Sequence, residues 1–157
     1  MHGTLFTQCI ALWTLHIPYL ISSSLSKYPS LKFIVIINPH SGPGIAPWWP
    51  NEDYTREIPR LNAYSNVTLL GYVRATYCRR QLSDVIDDIE TYAARSTGDA
   101  SVGLGVQGIF VDETVNLYTK EKKHYLDNID ARVRGMDGIG GNRMVRSNRL
   151  VSNSGTH

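Results

Sequence analysis

The amino-acid sequence predicts an α/β fold built on a parallel sheet, and three observations predict it. Short apolar runs rich in β-branched residues recur along the chain; they stop at turn residues or at charge; and amphipathic helical patterns fill the gaps between them. Strand starts recur roughly every 35 to 43 residues, the rhythm of successive βαβ units with right-handed crossovers. Buried parallel strands and long crossovers suit either a doubly wound sheet or a barrel. Periodicity does not choose between them.

Taken in order, residues 1–30 form a divergent amino-terminal segment. Its apolar stretch resembles a signal-peptide core, but it has no Lys or Arg start and no clean small-x-small cleavage site. His16 and Pro18 interrupt it, which also makes it a poor membrane span. The domain proper is expected over 31–157. "FIVIIN", Phe33 to Asn38, is a continuous apolar strand that halts at Pro39 and "SGPG". A helix is expected over Asn51 to Tyr64 around Tyr54, Ile58 and Leu61, shortened by Pro59. "NVTLLGYV", Asn66 to Val73, is the second strand. The helix from Arg80 to Arg95 carries Leu82, Val85, Ile86, Ile89 and Tyr92 on one stripe, with its acids largely off it. "VQGIFVDE" gives the third strand, a further helix is expected within Val115 to Arg134, and "RLVSN", Arg149 to Asn153, gives a weaker fourth strand.

The bulk numbers bound the function. A chain of 157 residues, 42% hydrophobic and 19% charged, has the composition of one ordinary globular domain with enough apolar residues for a core. Sixteen basic residues face 14 acidic ones, and the basic residues are scattered until "RVRGMDGIGGNRMVRSNR". That argues against a dedicated nucleic-acid surface. Cys9 and Cys78 are read as free thiols. His40 has no second ligand at metal spacing, so neither a metal nor a cofactor is expected. "SGPG" lacks the spacing of a phosphate-binding loop, and "DGIGGNR" neither follows a strong strand nor opens a clear helix.

"FIVIINPHSGPG", "LLGYVRATY", "DVIDDIETYA", "GIFVDE" and, more faintly, "VSNSGT" stand in the order and spacing of the spherulin-4-like proteins, and from about Tyr28 to Glu113 the chain resembles that family of fungal and bacterial glycoside hydrolases. The resemblance implies a (β/α)8 barrel, cleavage of galactosamine-containing polysaccharide, and an extracellular or cell-surface setting. Two departures stand out: Ala75 where the family has threonine, and "NSGT" where it has "NPGT". A full barrel takes about 250 residues, or roughly 200 in compact cases. This chain has room for about four βα units, so the expectation is a partial, TIM-like barrel of amino-terminal type, whose first family strand is missing or rewritten before Leu31. Its open sheet edges are expected to favour self-association, and an incomplete barrel is expected to be inactive as an isolated chain, so the alternative to a hydrolase is a catalytically inactive cell-surface or carbohydrate-binding protein.

The chemistry turns on "GIFVDE", an apolar run that finishes on two adjacent acids. At the carboxyl end of a parallel strand such residues face the ligand. Glycoside hydrolysis needs two carboxyl groups flanking the scissile bond, and the resemblance puts this acid pair at the catalytic mouth, so Asp112 and Glu113 are the candidate catalytic residues. Neighbours on an ideal strand point to opposite faces, so both reach one site only if the strand ends or bulges between them. The alternative makes Glu113 a helix-start residue favoured by the dipole. Asn38 and Asn153 are candidate sugar-binding residues at strand ends, although asparagine before a turn commonly bonds its own backbone. Tyr72 and Tyr77 flank a strand end and are candidates to stack on or bond a sugar ring, against a packing role. Trp48 and Trp49 in "APWWPNED" read as edge cover in preference to a sugar platform.

Overall fold

The structure, a computed structural model, describes residues 8–13, 25–46, 48–97, 103–115, 119–139 and 144–147. Five strands form one sheet in sequence order: β1 (Gln8–Trp13), β2 (Lys32–Ile37), β3 (Val67–Arg74), β4 (Gly108–Asp112) and β5 (Met144–Ser147). Every neighbouring pair is parallel. Helices α1 (Glu52–Asn62), α2 (Leu82–Ala94) and α3 (Lys120–Gly135) follow β2, β3 and β4 respectively. An α/β fold with a parallel sheet is therefore present, and three of its strands complete a described βα unit.

The period-two alternation of the strands divides the molecule into two layers. Phe33, Val35, Ile37, Leu69, Val73, Ile109 and Val111 face the helices and join Ile58, Val85, Ile89, Tyr92, Ile129 and Val133 in the main core. Ile34, Ile36, Leu70 and Tyr72, with Phe110 packed against them, form a second cluster on the opposite face. Both faces carry buried apolar side chains, as expected of continuous hydrophobic strands in a parallel sheet.

Several boundaries differ from the expectation. The amino-terminal apolar stretch contains a strand: β1 pairs with β2 from Gln8↔Lys32 to Trp13↔Ile37, so a sheet strand does precede Leu31. Its six apolar-rich residues are of strand length, and the longer apolar stretch around them hid that period. Pro59 does not shorten α1, which runs on to Asn62. Ile58 and Leu61 on either side of the proline are buried, and that packing outweighs one missing backbone bond. Helix α3, Lys120–Gly135, lies within the expected stretch except for its last residue, and Thr119 caps its start by accepting from Lys122 N at 3.3 Å. Residues 149–153, the expected fourth strand, lie outside the described residues; the last described strand is "MVRS", hidden in a basic, glycine-flanked stretch. Strand β4 begins at Gly108 instead of Val106 because the Gln107 side chain substitutes for a rung. Its Oε1 accepts from Leu69 N at 2.6 Å, and its Nε2 donates to Asn62 Oδ1 at 2.9 Å.

Candidate active site

Strand β4 ends at Asp112, and Glu113 follows with a left-handed φ of 52°. The alternation that would send the two acids to opposite faces is therefore broken between them. Helix α3 is capped at Thr119, so Glu113 is not a helix-start residue. Asp112 accepts two hydrogen bonds: Tyr72 donates its hydroxyl to Oδ2 at 2.7 Å, and the Glu113 backbone N–H donates to Oδ1 at 2.7 Å. Tyr72 stands two residue pairs down the β3–β4 ladder, opposite Phe110, with ring centroids 6.2 Å apart. Burial pushes the Tyr72 phenol well above the ordinary tyrosine value; its bond to Asp112 and the charges of Asp112 and Glu113 push the same way. The phenol keeps its proton and remains a donor to the carboxylate.

Left-handed backbone gathers at this end of the sheet. Ser41 after β2, Thr76, Tyr77 and Cys78 after β3, and Glu113 after β4 all have φ between 49° and 60°. Each costs about 1 to 2 kcal/mol for a residue with a Cβ. Two backbone bonds hold the β3 turn against the end of β4: Ala75 N to Asp112 O at 3.0 Å and Tyr77 N to Glu113 O at 2.5 Å. Strain concentrated where three strand ends meet, and held by specific bonds, is the signature of a site the fold has over-determined.

The loop after β2 is held from behind. Arg95 is fully buried; its guanidinium donates to Pro43 O at 2.7 Å, Trp48 O at 2.7 Å and Ile45 O at 3.3 Å. It also lies 4.6 Å from the Trp49 ring centroid, and Trp49 in turn stacks on Tyr54 at 5.7 Å. Across the loop a cleft of about 400 Å³ is lined by His40, Ser41, Arg74, Arg80 and Asp88, among others. Arg80 donates to Asp88 Oδ2 at 2.5 Å and to Arg74 O at 3.2 Å, which ties α2 to the end of β3.

Of the sequence-predicted residues, Asp112 and Tyr72 are in direct contact, with Glu113 bonded through its backbone. Asn38 lies on the same sheet face by alternation, but its Oδ1 accepts from Gly42 N at 3.2 Å and closes the turn after β2. Tyr77 is 55% exposed on the β3 turn. Asn153 lies outside the described residues. Trp49 is buried in the core, whereas Trp48 is half exposed. Cys78 is a free thiol, and burial pushes its pKa up. Ala75, where a threonine was expected, is buried against the helix-side core. Sequence reasoning missed Arg74, which stands in register with Asp112, and the Arg95 anchor. Alternation on β3 was enough to find the first, whereas no local signal marks the second.

A parallel α/β sheet whose acids, strained turns and clefts gather at the carboxyl ends of its strands has the layout of a ligand-binding or catalytic α/β domain. The chain belongs to the spherulation-specific family 4, whose family model matches residues 19–157. Spherulin-4 of Physarum polycephalum is 36% identical over 100 residues, covering 60% of this chain and 27% of that protein. The crystal structure of Aspergillus clavatus Sph3 in complex with GalNAc superposes with a TM-score of 0.84 at 41% identity, covering 90% of this chain and 57% of Sph3. The chain thus spans about a quarter of spherulin-4 and somewhat over half of Sph3. Among the described residues no helix is long and apolar enough to cross a membrane.

Proposed function

We propose that this chain carries the sugar-binding rim and an acid pair of a glycoside hydrolase acting on galactosamine-containing polysaccharide, within a fold of TIM-barrel type. The observation that carries the reading is the Tyr72–Asp112 bond at the end of β4, which fixes a carboxylate where α/β enzymes bind their ligands. The GalNAc bound by Sph3 supplies the sugar class. Asp112 and Glu113 are the catalytic carboxyls in this reading, close enough in sequence to share one mouth now that the strand ends between them. Tyr72 acts through Asp112, because its hydroxyl is already committed to that carboxylate. Asn38, Tyr77 and Asn153 remain the proposed sugar contacts.

Residues 31–157 form the barrel-type domain in this proposal, with 1–30 contributing β1 as a divergent lead-in. The setting is extracellular or cell-surface, where such a polysaccharide occurs. The outer edges of β1 and β5 are the surfaces for pairing with a second copy.

A second reading, a catalytically inactive carbohydrate-binding protein of the same family, rests on one observation. Strand β5, Met144–Ser147, contains no Asp or Glu, so it brings no further carboxyl to the rim. Release of new reducing ends from a galactosamine-containing polymer, compared between the chain and its Asp112→Asn variant, separates the two. Hydrolysis that depends on Asp112 supports the enzyme; binding without hydrolysis supports the second reading.

A further inference from the structure

Immediately beside the rim, on the far side of the β2–α1 loop, lies a second cleft of about 490 Å³ lined by Pro39, His40, Ile45, Trp48, Trp49 and Pro50, together with Gly44 and Ala46. Two of its walls are large apolar side chains turned to solvent: Trp48 is 41% exposed and Ile45 is 89% exposed. Exposed apolar groups this size, in a concave and mostly apolar setting with an adjacent polar side chain, mark a binding surface more often than a packing error. The loop that presents them is rigidly held. Arg95 grips the carbonyls of Pro43, Ile45 and Trp48 from inside the protein, and Trp49 is clamped between Tyr54 and the Arg95 guanidinium. A buried arginine that fixes the backbone of both exposed apolar residues holds them ready before any ligand arrives, so little ordering entropy is lost on binding.

The position of the cleft says what it is for. His40, Gly44 and Ile45 line both this cleft and the one that contains Arg74, and Arg74 stands in register with Asp112 on the neighbouring strand. A chain-like ligand that ran from the acids over Arg74 and His40 would reach Trp48. We propose that the Trp48–Ile45 cleft is a distal subsite for a pyranose ring of the polysaccharide, a reading that rests on the proposed sugar-binding rim. The apolar face of the ring lies on the Trp48 indole, the exposed Ile45 side chain meets apolar substituents such as an acetamido methyl, and the His40 imidazole is at hand for a ring hydroxyl. The subsite adds affinity for a chain of sugars without taking part in bond cleavage.

The experiment is a binding series with N-acetylgalactosamine and with its oligomers of increasing length, measured by calorimetry on the wild-type chain and on Trp48→Ala, Trp48→Phe, Ile45→Ala and Asp112→Asn. A distal subsite predicts that Trp48→Ala weakens the long oligomer roughly tenfold or more, the loss expected on truncating an aromatic anchor, and leaves monosaccharide affinity unchanged. Trp48→Phe restores most of the loss, and Ile45→Ala reproduces part of it at a side chain too exposed to matter for folding. Equal long-oligomer affinity in Trp48→Ala and wild type overturns the subsite, as does a wild-type chain that binds no oligomer. Asp112→Asn keeps the separate question separate: length-dependent binding through Trp48, with no hydrolysis by either protein, leaves the subsite standing and removes only the hydrolase reading.

Discussion

Adding one methyl group at Gly71 is expected to destabilise this chain. Gly71 lies on the helix-facing side of β3, and a Cβ there would stand 2.8 to 2.9 Å from three atoms of the Tyr92 ring. Its backbone lies outside the left-handed region, so alanine brings no strain of its own. The ring is fully buried, packs edge-on against Trp49 at 6.0 Å, and donates its hydroxyl to Ile37 O at 2.9 Å. It cannot retreat without breaking these contacts. Overpacking costs about 1 to 3 kcal/mol, and stranding the Ile37 carbonyl adds about 1 to 3 kcal/mol. Against this, alanine regains about 0.4 to 1 kcal/mol by restricting the unfolded chain. The net destabilisation is about 1 to 6 kcal/mol, or a fall in Tm of roughly 2 to 24 °C at about 2 to 4 °C per kcal/mol for a chain of this size. Thermal melts followed by circular dichroism read it directly. A double-mutant cycle with Tyr92→Leu adds a sharper check, since removing the ring should relieve most of the Gly71→Ala cost. A Gly71→Ala protein within about 0.5 kcal/mol of wild type, or a strictly additive double mutant, would refute the packing argument.

Three further outcomes are expected. Tyr72→Phe keeps the ring that packs on Phe110 but removes a hydrogen bond to a carboxylate, worth about 1.5 to 3 kcal/mol; oligosaccharide hydrolysis should fall roughly 10- to 100-fold in kcat with little change in KM, and an equal loss in both would place Tyr72 on the substrate instead. Arg95→Met leaves the buried Pro43 carbonyl and the part-buried Ile45 and Trp48 carbonyls without this donor and should destabilise the fold by about 1 to 3 kcal/mol, opening the loop after β2 to limited proteolysis; Arg95→Lys should not rescue it, because an ammonium does not reproduce the planar fork. Burial raises the phenols of Tyr54, Tyr72, Tyr92 and Tyr125 above the ordinary value of 10.0, Tyr125 to about 12. The unfolded chain therefore loses those protons first as pH rises, so the folded chain binds more protons above that value. Stability should hold below about pH 10 and decline as pH climbs through the raised values, and urea midpoints that rise between pH 10 and 12 would contradict this.

The layers of this fold were legible because they rest on periodicity. The β-branched runs at Phe33–Asn38, Asn66–Val73 and Gly108–Asp112 can be buried on both faces only as parallel strands, and the stripe from Leu82 to Tyr92 can cover a sheet only as a helix. The edges were less legible. Strands β1 and β5 carry six and four residues, too few to show a period against an apolar lead-in on one side and a basic stretch on the other. At the site, the two acids announced themselves by ending an apolar run. Their geometry did not, because it depends on the left-handed φ of Glu113 and on a bond from Tyr72, forty residues away in sequence. Asn38 shows the limit most clearly: one residue type serves a sugar hydroxyl or its own turn equally well, and only the Gly42 N–H bond shows that its Oδ1 closes the turn, which leaves its amide N–H groups for the proposed sugar contact. Arg95 was invisible for a related reason. At the end of an amphipathic helix a basic residue is read as solvated, and nothing local says that the chain folds three carbonyls of a distant loop over it.

The central proposal is that Asp112, held by Tyr72 at the mouth of this sheet, serves in cleavage of galactosamine-containing polysaccharide, and reducing-end release tests it most directly. Purified chain incubated with that polymer should generate new reducing ends, and Asp112→Asn, which is close to isosteric with the native side chain, should slow release by at least about 10²-fold, the lower bound for loss of an essential acid–base or nucleophilic group. A folded wild-type chain that releases none, or an Asp112→Asn chain that releases them at the wild-type rate, would contradict it.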